Sequence, residues 1–233
     1  MNATTPTFDI VFALFPRITQ LDFTGAHEVL WRLPGARLLL ASAAGGRVEA
    51  DGGLAFETRP LAEVERCDLL LVPGGMGVVP AMEDPVFIAG LRRLGGQARI
   101  VASVCTGSLA LAAAGLLNGR RAACHWAWRE LLATFDGVTP DAGRVVRDGP
   151  VITGGGVTAG IDLALTLLAE IAGPELAQAV QLGIEYAPAP PFDCGRPERA
   201  APAVLQAVQS RLQQMRPDRL AAAQRCAAAL RRS

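Results

Sequence analysis

The sequence contains no lysine, because all 22 of its basic residues are arginine. This absence excludes a lysine Schiff base and a P-loop lysine as the basis of any mechanism. Excess charge of either sign is also absent, since 22 acidic residues balance the 22 basic ones. A protein that binds nucleic acid or an anionic membrane surface through basic patches usually carries a positive excess. We therefore expect neither kind of partner.

Long hydrophobic runs are absent as well. Charges, prolines and glycines interrupt every apolar stretch before it reaches the roughly 20 residues that a membrane-spanning helix needs. Residues 1–8 have no positively charged region and no long apolar stretch, so we expect no signal peptide. The hydrophobic share of 51% over 233 residues is nevertheless enough to build a sizeable core. One domain spanning residues 1–233 is the simplest prediction.

Cysteines are few and scattered. There are five, an odd number, and none has the paired spacing of a zinc site. Together with the missing signal peptide, this pattern indicates a reduced, cytoplasmic protein that holds no metal.

Apolar segments alternate with stretches of helical periodicity, which predicts an α/β protein with a mostly parallel sheet covered on both faces. An Asp148-Gly149 pair predicts a hairpin turn, and the proline-rich segment 186–192 predicts an extended arm. Segment 193–233 is interpreted as a helical extension of the same domain, broken once at Pro217. The predicted strands are 9–15, 37–43, 69–72, 100–103, 122–125, 145–147 and 151–153, and the predicted helices are 22–33, 84–94, 109–116, 158–171, 174–184 and 202–232.

Cys105 is the most informative residue. An apolar run ends there, Ser103 and Gly107 flank it, and a helical pattern begins directly afterwards. Small residues two positions to either side permit a sharp turn from strand to helix, which places the apical side chain above the sheet. The N-terminus of the helix then favours a thiolate, which makes Cys105 a candidate nucleophile. The structural alternative is a buried cysteine that acts as a small apolar residue.

Two residues are candidate partners of Cys105. Asp22 follows the first strand at the start of a helix, where it either caps the helix or, partly desolvated by Phe23, carries a raised pKa and shuttles a proton. The sequence does not separate these two roles. His125, on the predicted strand after the elbow helix, is either a general base or a hydrogen-bonding residue at a strand end, and the second is favoured.

Glycines follow two of the predicted strands. Gly74 and Gly75 follow strand 69–72 and Pro73, where backbone N–H groups can approach a ligand and stabilise charge that develops during attack by sulfur. The glycines at 154–156 lack the G-x-G-x-x-G context. No dinucleotide cofactor is therefore expected.

Together these features resemble the ThiJ/PfpI superfamily over residues 8–192. The shared pattern is a strand followed by Pro73-Gly74-Gly75, the elbow Val104-Cys105-Thr106-Gly107, and an acid in the first strand–helix loop. Within the superfamily the chain resembles the isocyanide hydratases, and the more specific signs are an aspartate where other members carry glutamate and the arm Tyr-Ala-Pro-Ala-Pro-Pro-Phe. The resembling segments are 20–30, 104–109, 156–162 and 185–192.

The resemblance implies a flavodoxin-like three-layer sandwich, a homodimer, no metal and no organic cofactor. It also implies a lyase that hydrates an isocyanide, R–N≡C, to an N-substituted formamide. Cys105 would attack the terminal carbon to form a thioimidate, and Asp22 would supply a proton to carbon or nitrogen and later activate water. Thr106 would orient the reactant or the aspartate, Gly75 would place a backbone N–H near the sulfur, and Ile161 would pack against the site.

Departures from the superfamily narrow the alternatives. Its proteases carry a histidine directly after the cysteine, whereas Thr106 stands here, so peptidase activity is not expected. AraC-type regulators share the Cys-Thr-Gly and the pair His125-Trp126 but append a helix-turn-helix module of about 100 residues. Only about 40 residues follow Phe192, which disfavours a regulator. Two alternatives stay open: a thiol sensor with a reversibly oxidised Cys105, and an enzyme acting on glyoxals or carbonyl adducts.

Overall fold

The computed structural model describes residues 8–232, so the prediction about a signal peptide at residues 1–8 falls almost entirely outside the described part. The strands are β1 (Phe8–Ala13), β2 (Ala36–Ser42), β3 (Gly46–Glu49), β4 (Ala55–Pro60), β5 (Leu69–Val72), β6 (Ile100–Val104), β7 (Arg121–Ala122), β8 (Thr139–Pro140), β9 (Val145–Asp148) and β10 (Val151–Gly154). The helices are α1 (Gln20–Leu30), α2 (Val78–Glu83), α3 (Pro85–Gln97), α4 (Gly107–Ala113), α5 (Ala159–Ala172), α6 (Pro174–Gly183), α7 (Pro202–Gln213) and α8 (Arg216–Leu230).

Eight of the described strands form one sheet in the order β3-β4-β2-β1-β5-β6-β10-β9. Neighbours from β4 to β10 are parallel, and only the edge strands β3 and β9 run antiparallel to theirs. The central strands β5 and β10 are short and fully buried because both of their faces are covered. The predicted hairpin at Gly149 is confirmed, since this residue has a positive φ of 57° between β9 and β10.

The helices form two groups. In the first group α1 packs against α5, and α5 packs against α6. The second group is α2, α3, α4 and α8. The sheet with a helical layer to either side is the flavodoxin-like α/β sandwich that the sequence predicts. Parallel strands direct their carboxyl ends to one edge of the sheet, so the loops after β1, β5, β6 and β10 are neighbours.

Two predicted elements are shorter in the structure. The elbow helix α4 ends at Ala113, because Gly115 takes a left-handed φ of 76° that breaks it before Leu116. The strand predicted at 122–125 is reduced to β7, which pairs only with β8 and not with the main sheet. His125 therefore lies in a loop, and its predicted position on a strand is wrong.

The C-terminal part follows its prediction with one shift. Segment 186–192 contains neither helix nor strand, as expected of an extended arm. The helix predicted over 202–232 is two helices, and the break precedes Pro217, which occupies the first turn of α8 where its missing N–H costs nothing. Helix α8 buries a small-residue face against α2 and α4, whereas α7 buries no residue.

Candidate active site

Cys105 is the apex of the turn between β6 and α4. Its backbone has a left-handed φ of 59°, a conformation that costs a non-glycine residue about 1–3 kcal/mol and recurs at functional sites. The Cys105 N–H donates to the Gly154 carbonyl at 3.1 Å, which ties the apex to the end of β10. The side chain is only 6% exposed. The cysteine elbow predicted from the sequence is confirmed.

The structure explains why the two residues that flank the elbow, Ser103 and Gly107, are small. A Cβ atom at Gly107 would lie 2.1 Å from the Val72 carbonyl oxygen, so no side chain fits there. The Ser103 hydroxyl lies 2.8 Å from Ser108 Oγ, which donates to the Ala123 carbonyl at 2.5 Å. These buried hydroxyl bonds join β6, α4 and the segment after β7 directly below the apex.

Asp22 is fully buried in the first turn of α1. Its Oδ2 accepts a hydrogen bond from the Gly74 N–H at 2.7 Å, and its side chain is also hydrogen-bonded to Cys105. Oδ1 has no hydrogen-bond partner among the described residues. The N-cap of α1 is Thr19, so the interpretation of Asp22 as a helix cap is wrong. The proton-shuttle interpretation stays a prediction.

The protonation of this pair is set mainly by burial. Desolvation raises the pKa of Asp22 to about 7, although the hydrogen bonds from Gly74 and Cys105 pull it down. Burial also raises the pKa of Cys105 well above its ordinary value, as does the negative charge of Asp22, and the Thr106 N–H only partly opposes this. Burial therefore opposes ionisation of the Cys105 thiol, which faces a carboxyl group able to take its proton. The thiolate expected from the helix N-terminus stays a prediction.

The loops after β5 and β6 interlock beside Cys105. The Gly75 N–H donates to Thr106 Oγ1 at 3.0 Å. A Cβ atom on Gly74 would lie 2.4 Å from the Thr106 nitrogen and 2.9 Å from Asp22 Oδ2, so position 74 requires glycine. Thr106 thus lies beside the sulfur, as the sequence predicts. Since Thr106 already accepts from the Gly75 N–H, the predicted role of that donor at sulfur would require this bond to exchange.

His125 and Ile161 lie at the edge of the site. His125 Nδ1 accepts from the Ala127 N–H at 3.3 Å, and burial lowers the histidine pKa to about 4, which keeps the ring neutral. This matches the hydrogen-bonding interpretation rather than the general base. Ile161, on α5, packs where α5 meets α1: a Cβ atom on Gly25 would lie 2.9 Å from its side chain. The neighbouring Gly160 packs on the Asp22 carbonyl.

A cavity of about 690 Å³ adjoins the cysteine elbow. Cys124 and His125 line it from the loop after β7, and Gly155 and Gly156 line it from the loop after β10. These glycines directly follow Gly154, the residue that accepts the Cys105 N–H. Cys105 itself does not line the cavity. A substrate bound in the cavity would have to move past the loop at 154–156 to reach the sulfur.

Arg219 is a site residue that the sequence analysis missed. It is 3% exposed on α8, and its Nη2 lies 3.6 Å from the sulfur of Met76, the residue after Gly75. Its guanidinium carbon lies 4.2 Å from the centre of the Trp128 ring. The sequence offers no signal for it, because Arg219 is one of several arginines in an alanine- and arginine-rich helix.

Metal sites and membrane spans were sought over the same residues. Within 8–232, no group of three or more histidine, cysteine or acidic side chains is arranged to hold a metal ion. None of the helices in that range combines the length and apolar character that crossing a bilayer requires.

Comparison with known proteins places the chain in a family. A sequence profile described as the DJ-1/PfpI family matches residues 9–170, which is well over half of the chain. The chain belongs to the DJ-1/PfpI family. A ThiJ/PfpI family protein from Pseudomonas syringae superposes on it with a TM-score of 0.89 at 35% sequence identity, covering 95% of this chain and 93% of that one.

Of two relatives of this DJ-1/PfpI chain, one is named as an enzyme and the other as a transcriptional regulator. An isonitrile hydratase from Pseudomonas putida is 50% identical over 205 residues, which cover 87% of this chain and 89% of the relative. An HTH-type transcriptional regulator from Pseudomonas aeruginosa, CdhR, is 35% identical over 182 residues, but the match covers only 53% of the regulator. The similarity to the hydratase therefore extends over nearly all of both proteins, and the similarity to the regulator does not.

Proposed function

We propose that this protein is a cysteine-dependent lyase that hydrates isocyanides to N-substituted formamides. The observation that carries the proposal is the pair at the elbow: a buried Asp22 carboxyl with a pKa of about 7, hydrogen-bonded to the Cys105 thiol. Hydration of an isocyanide needs a nucleophile for carbon and a group that both gives and accepts protons, and this pair supplies both. The 50% identity to an isonitrile hydratase supports the same reaction.

In the first half of the proposed reaction, the Asp22 carboxylate takes the thiol proton of Cys105. The sulfur then forms a bond to the terminal carbon of R–N≡C, and the carboxyl group returns the proton to that carbon. The product is a covalent thioimidate, R–N=CH–S–Cys105, with Asp22 ionised again. The hydrogen bond between the two side chains provides the path for this proton.

In the second half, Asp22 takes a proton from water as the water oxygen adds to the thioimidate carbon. The same proton passes to nitrogen, the carbon–sulfur bond breaks, and the remaining hydroxyl proton returns to sulfur as the formyl C=O forms. The formamide R–NH–CHO leaves with Cys105 and Asp22 in their starting states. Dividing the hydration in this way replaces one difficult step by two easier ones.

The remaining site residues serve this pair. Thr106 orients the reactant and holds the loop after β5 through its bond to Gly75. Ile161 positions α1 by packing where α5 meets it, and neutral His125 shapes the adjoining cavity. No metal or organic cofactor takes part in the proposed steps.

The proposal extends to the protein's organisation. We place residues 1–233 in one domain with 193–233 as its helical extension, because α8 packs against α2 and α4. We expect a cytoplasmic homodimer with no nucleic-acid or membrane partner.

Two alternatives use the same cysteine. A thiol sensor needs an accessible cysteine of low pKa, whereas burial raises the pKa of Cys105. An enzyme acting on glyoxals would use the same nucleophile and acid on a carbonyl carbon, so it differs from the hydratase in its substrate and in the reaction that follows.

The deciding experiment is consumption of an aryl isocyanide with identification of the formamide. Wild-type protein is compared with Cys105→Ala and with Cys67→Ala, a matched control in which another buried thiol is removed. We expect turnover by wild type and Cys67→Ala and none by Cys105→Ala. Absence of turnover by all three across several isocyanides, with Cys105-dependent consumption of methylglyoxal, would replace the hydratase by the glyoxal enzyme.

A further inference from the structure

Arg219 is a buried cation without an anionic partner. Arginine side chains that are taken out of water normally pair with a carboxylate. Within the described residues no ion pair involves Arg219, and its Nη1 is buried with no hydrogen-bond partner at all. Removing such a group from water costs several kcal/mol unless something compensates the charge. An unpaired guanidinium in this position therefore calls for a functional explanation.

The guanidinium is held between the loop after β5 and the segment that follows β7. On one side Nη2 contacts the Met76 sulfur, in the loop whose Gly75 is bonded to Thr106. On the other side the group stacks over Trp128, in the segment that follows His125. Both contacts fix the direction of the side chain without neutralising its charge. The arginine is thus held in place by groups that leave its charge unopposed.

Arg219 is electrostatically coupled to two thiols. Burial lowers the pKa of the guanidinium, Cys105 and Cys124 act on it in the opposite direction, and Arg219 in turn lowers the pKa of Cys124. Apart from Arg219, the ionisable groups that act on Cys105 from the elements around it are Asp22 on α1 and Cys124 after β7, and both oppose ionisation of the thiol. His125 is neutral at physiological pH and adds no charge. A positive charge from α8 is what the transient thiolate otherwise lacks.

We propose that Arg219 is a positioning residue that stabilises the negative charge on Cys105 sulfur when the thiol proton moves to Asp22. The site that the family domain builds is then completed by a helix that lies beyond residues 9–170. The inference deepens the proposed hydratase function and rests on it, because it assigns the charge that the first proton transfer creates. It does not require the guanidinium to touch the substrate.

The test is the pH dependence of Cys105 alkylation by iodoacetamide, in which sulfur bonds to carbon and iodide leaves. Cleavage by protease and mass spectrometry separate Cys105 from the other four cysteines. In Arg219→Gln we expect the profile to move up by about one pH unit, with alkylation about tenfold slower at neutral pH. Arg225→Gln is the matched control, an exposed arginine on the same helix that pairs with Glu83, and its profile should superimpose on wild type.

A second variant separates charge from packing. Arg219→Lys keeps the charge and should shift the profile by less than half as much as Arg219→Gln. Equal shifts in the two variants, or a Gln profile that superimposes on wild type, would overturn the proposal. If Arg219→Gln shows no cooperative thermal transition, Arg219→Lys decides alone: a profile near wild type supports the role, and displacement by about one full pH unit refutes it.

The Asp22 carboxyl titrates in the same pH range and could itself shift the alkylation profile. Repeating the comparison in an Asp22→Asn background removes this titration, and the effect of Arg219 on the profile should persist there. Alkylation needs no isocyanide, so the two proposals fail separately. A shifted alkylation profile without isocyanide turnover would retain Arg219 and discard the hydratase. Isocyanide turnover with an unshifted alkylation profile would retain the hydratase and discard the role of Arg219.

Discussion

Two buried aspartates at opposite ends of the β1–α1 unit have opposite surroundings. Asp9, at the start of β1, is bound by Arg37 through two hydrogen bonds of 3.0 and 2.8 Å. Asp22, at the carboxyl end of the sheet, is equally buried but receives one backbone N–H and the Cys105 thiol. Its Oδ1 has no partner among the described residues. One carboxylate is paired with a cation, and the other has no cation bonded to it among the described residues.

The difference shows how the fold assigns a role to a carboxyl group. A cation paired with a buried carboxylate makes it a structural link, as Asp9 links β1 to β2 through Arg37. Without that cation, burial pushes the pKa of Asp22 to about 7, where proton transfer at physiological pH is efficient. The buried positive charge near the site belongs to Arg219, which is coupled to Cys105 and Cys124; in the proposal above it stabilises the sulfur rather than the carboxylate.

The largest expected effect is on turnover. Asp22→Asn keeps the shape of the side chain but can neither give nor take the proton, so we expect isocyanide hydration to fall by about 10³-fold or more. Asp9→Asn, at the other end of the unit, should leave kcat within about twofold. Both are measured as formamide production under saturating isocyanide. Wild-type turnover by Asp22→Asn would remove that residue from the mechanism.

The next effect is on stability and has the opposite sign. The pKa of Asp22 is raised on folding, so its favourable contribution is complete below about pH 4 and is lost as the pH rises through about 7. Asp22→Asn lacks this loss and should become more stable than wild type as the pH increases, by on the order of 3 kcal/mol at about pH 8. Urea unfolding at several pH values measures the difference. A constant difference across the range would show that the carboxyl group is not perturbed.

The smallest effects concern the cations around Asp9. Arg37→Met removes the side chain that forms two hydrogen bonds with Asp9 and leaves the Asp9 carboxylate buried without this partner. We therefore expect a loss of about 2 kcal/mol in the free energy of unfolding. Arg66, whose side chain is 59% exposed and lies 3.7 Å from Asp9, is the matched control. Arg66→Met should cost less than about 0.5 kcal/mol. Equal losses in the two variants would mean that the geometry of the Arg37 pair is unimportant.

The sequence predicted the parts of this protein that local patterns determine. Apolar runs and glycines located the parallel strands, and β5 (Leu69–Val72) was predicted with both ends correct. The elbow was predicted because its requirements are local: an apolar strand, one cysteine and small flanking residues. The close approach of Gly107 to the Val72 carbonyl explains one of those residues in the structure.

The parts that depend on distant contacts were not predictable in the same way. The surroundings of the Asp22 carboxyl include the Gly74 N–H, which is 52 residues away in the chain. The segment 122–125 was predicted to be a strand that follows the elbow helix, but β7 has no place in the main sheet and ends at Ala122. Arg219 reaches Met76 across 143 residues, a distance over which no periodicity or spacing carries information.

The left-handed backbone at Cys105 has a consequence for how this protein varies by mutation. Glycine or asparagine would fit a φ of 59° with less strain than cysteine. Substitution of Cys105 by either residue can therefore yield a protein that is more stable but catalytically inactive. Selection for thermal stability alone would therefore tend to discard the nucleophile. The apex is a place where stability and reactivity favour different residues, and keeping a cysteine there requires continued selection for its chemistry.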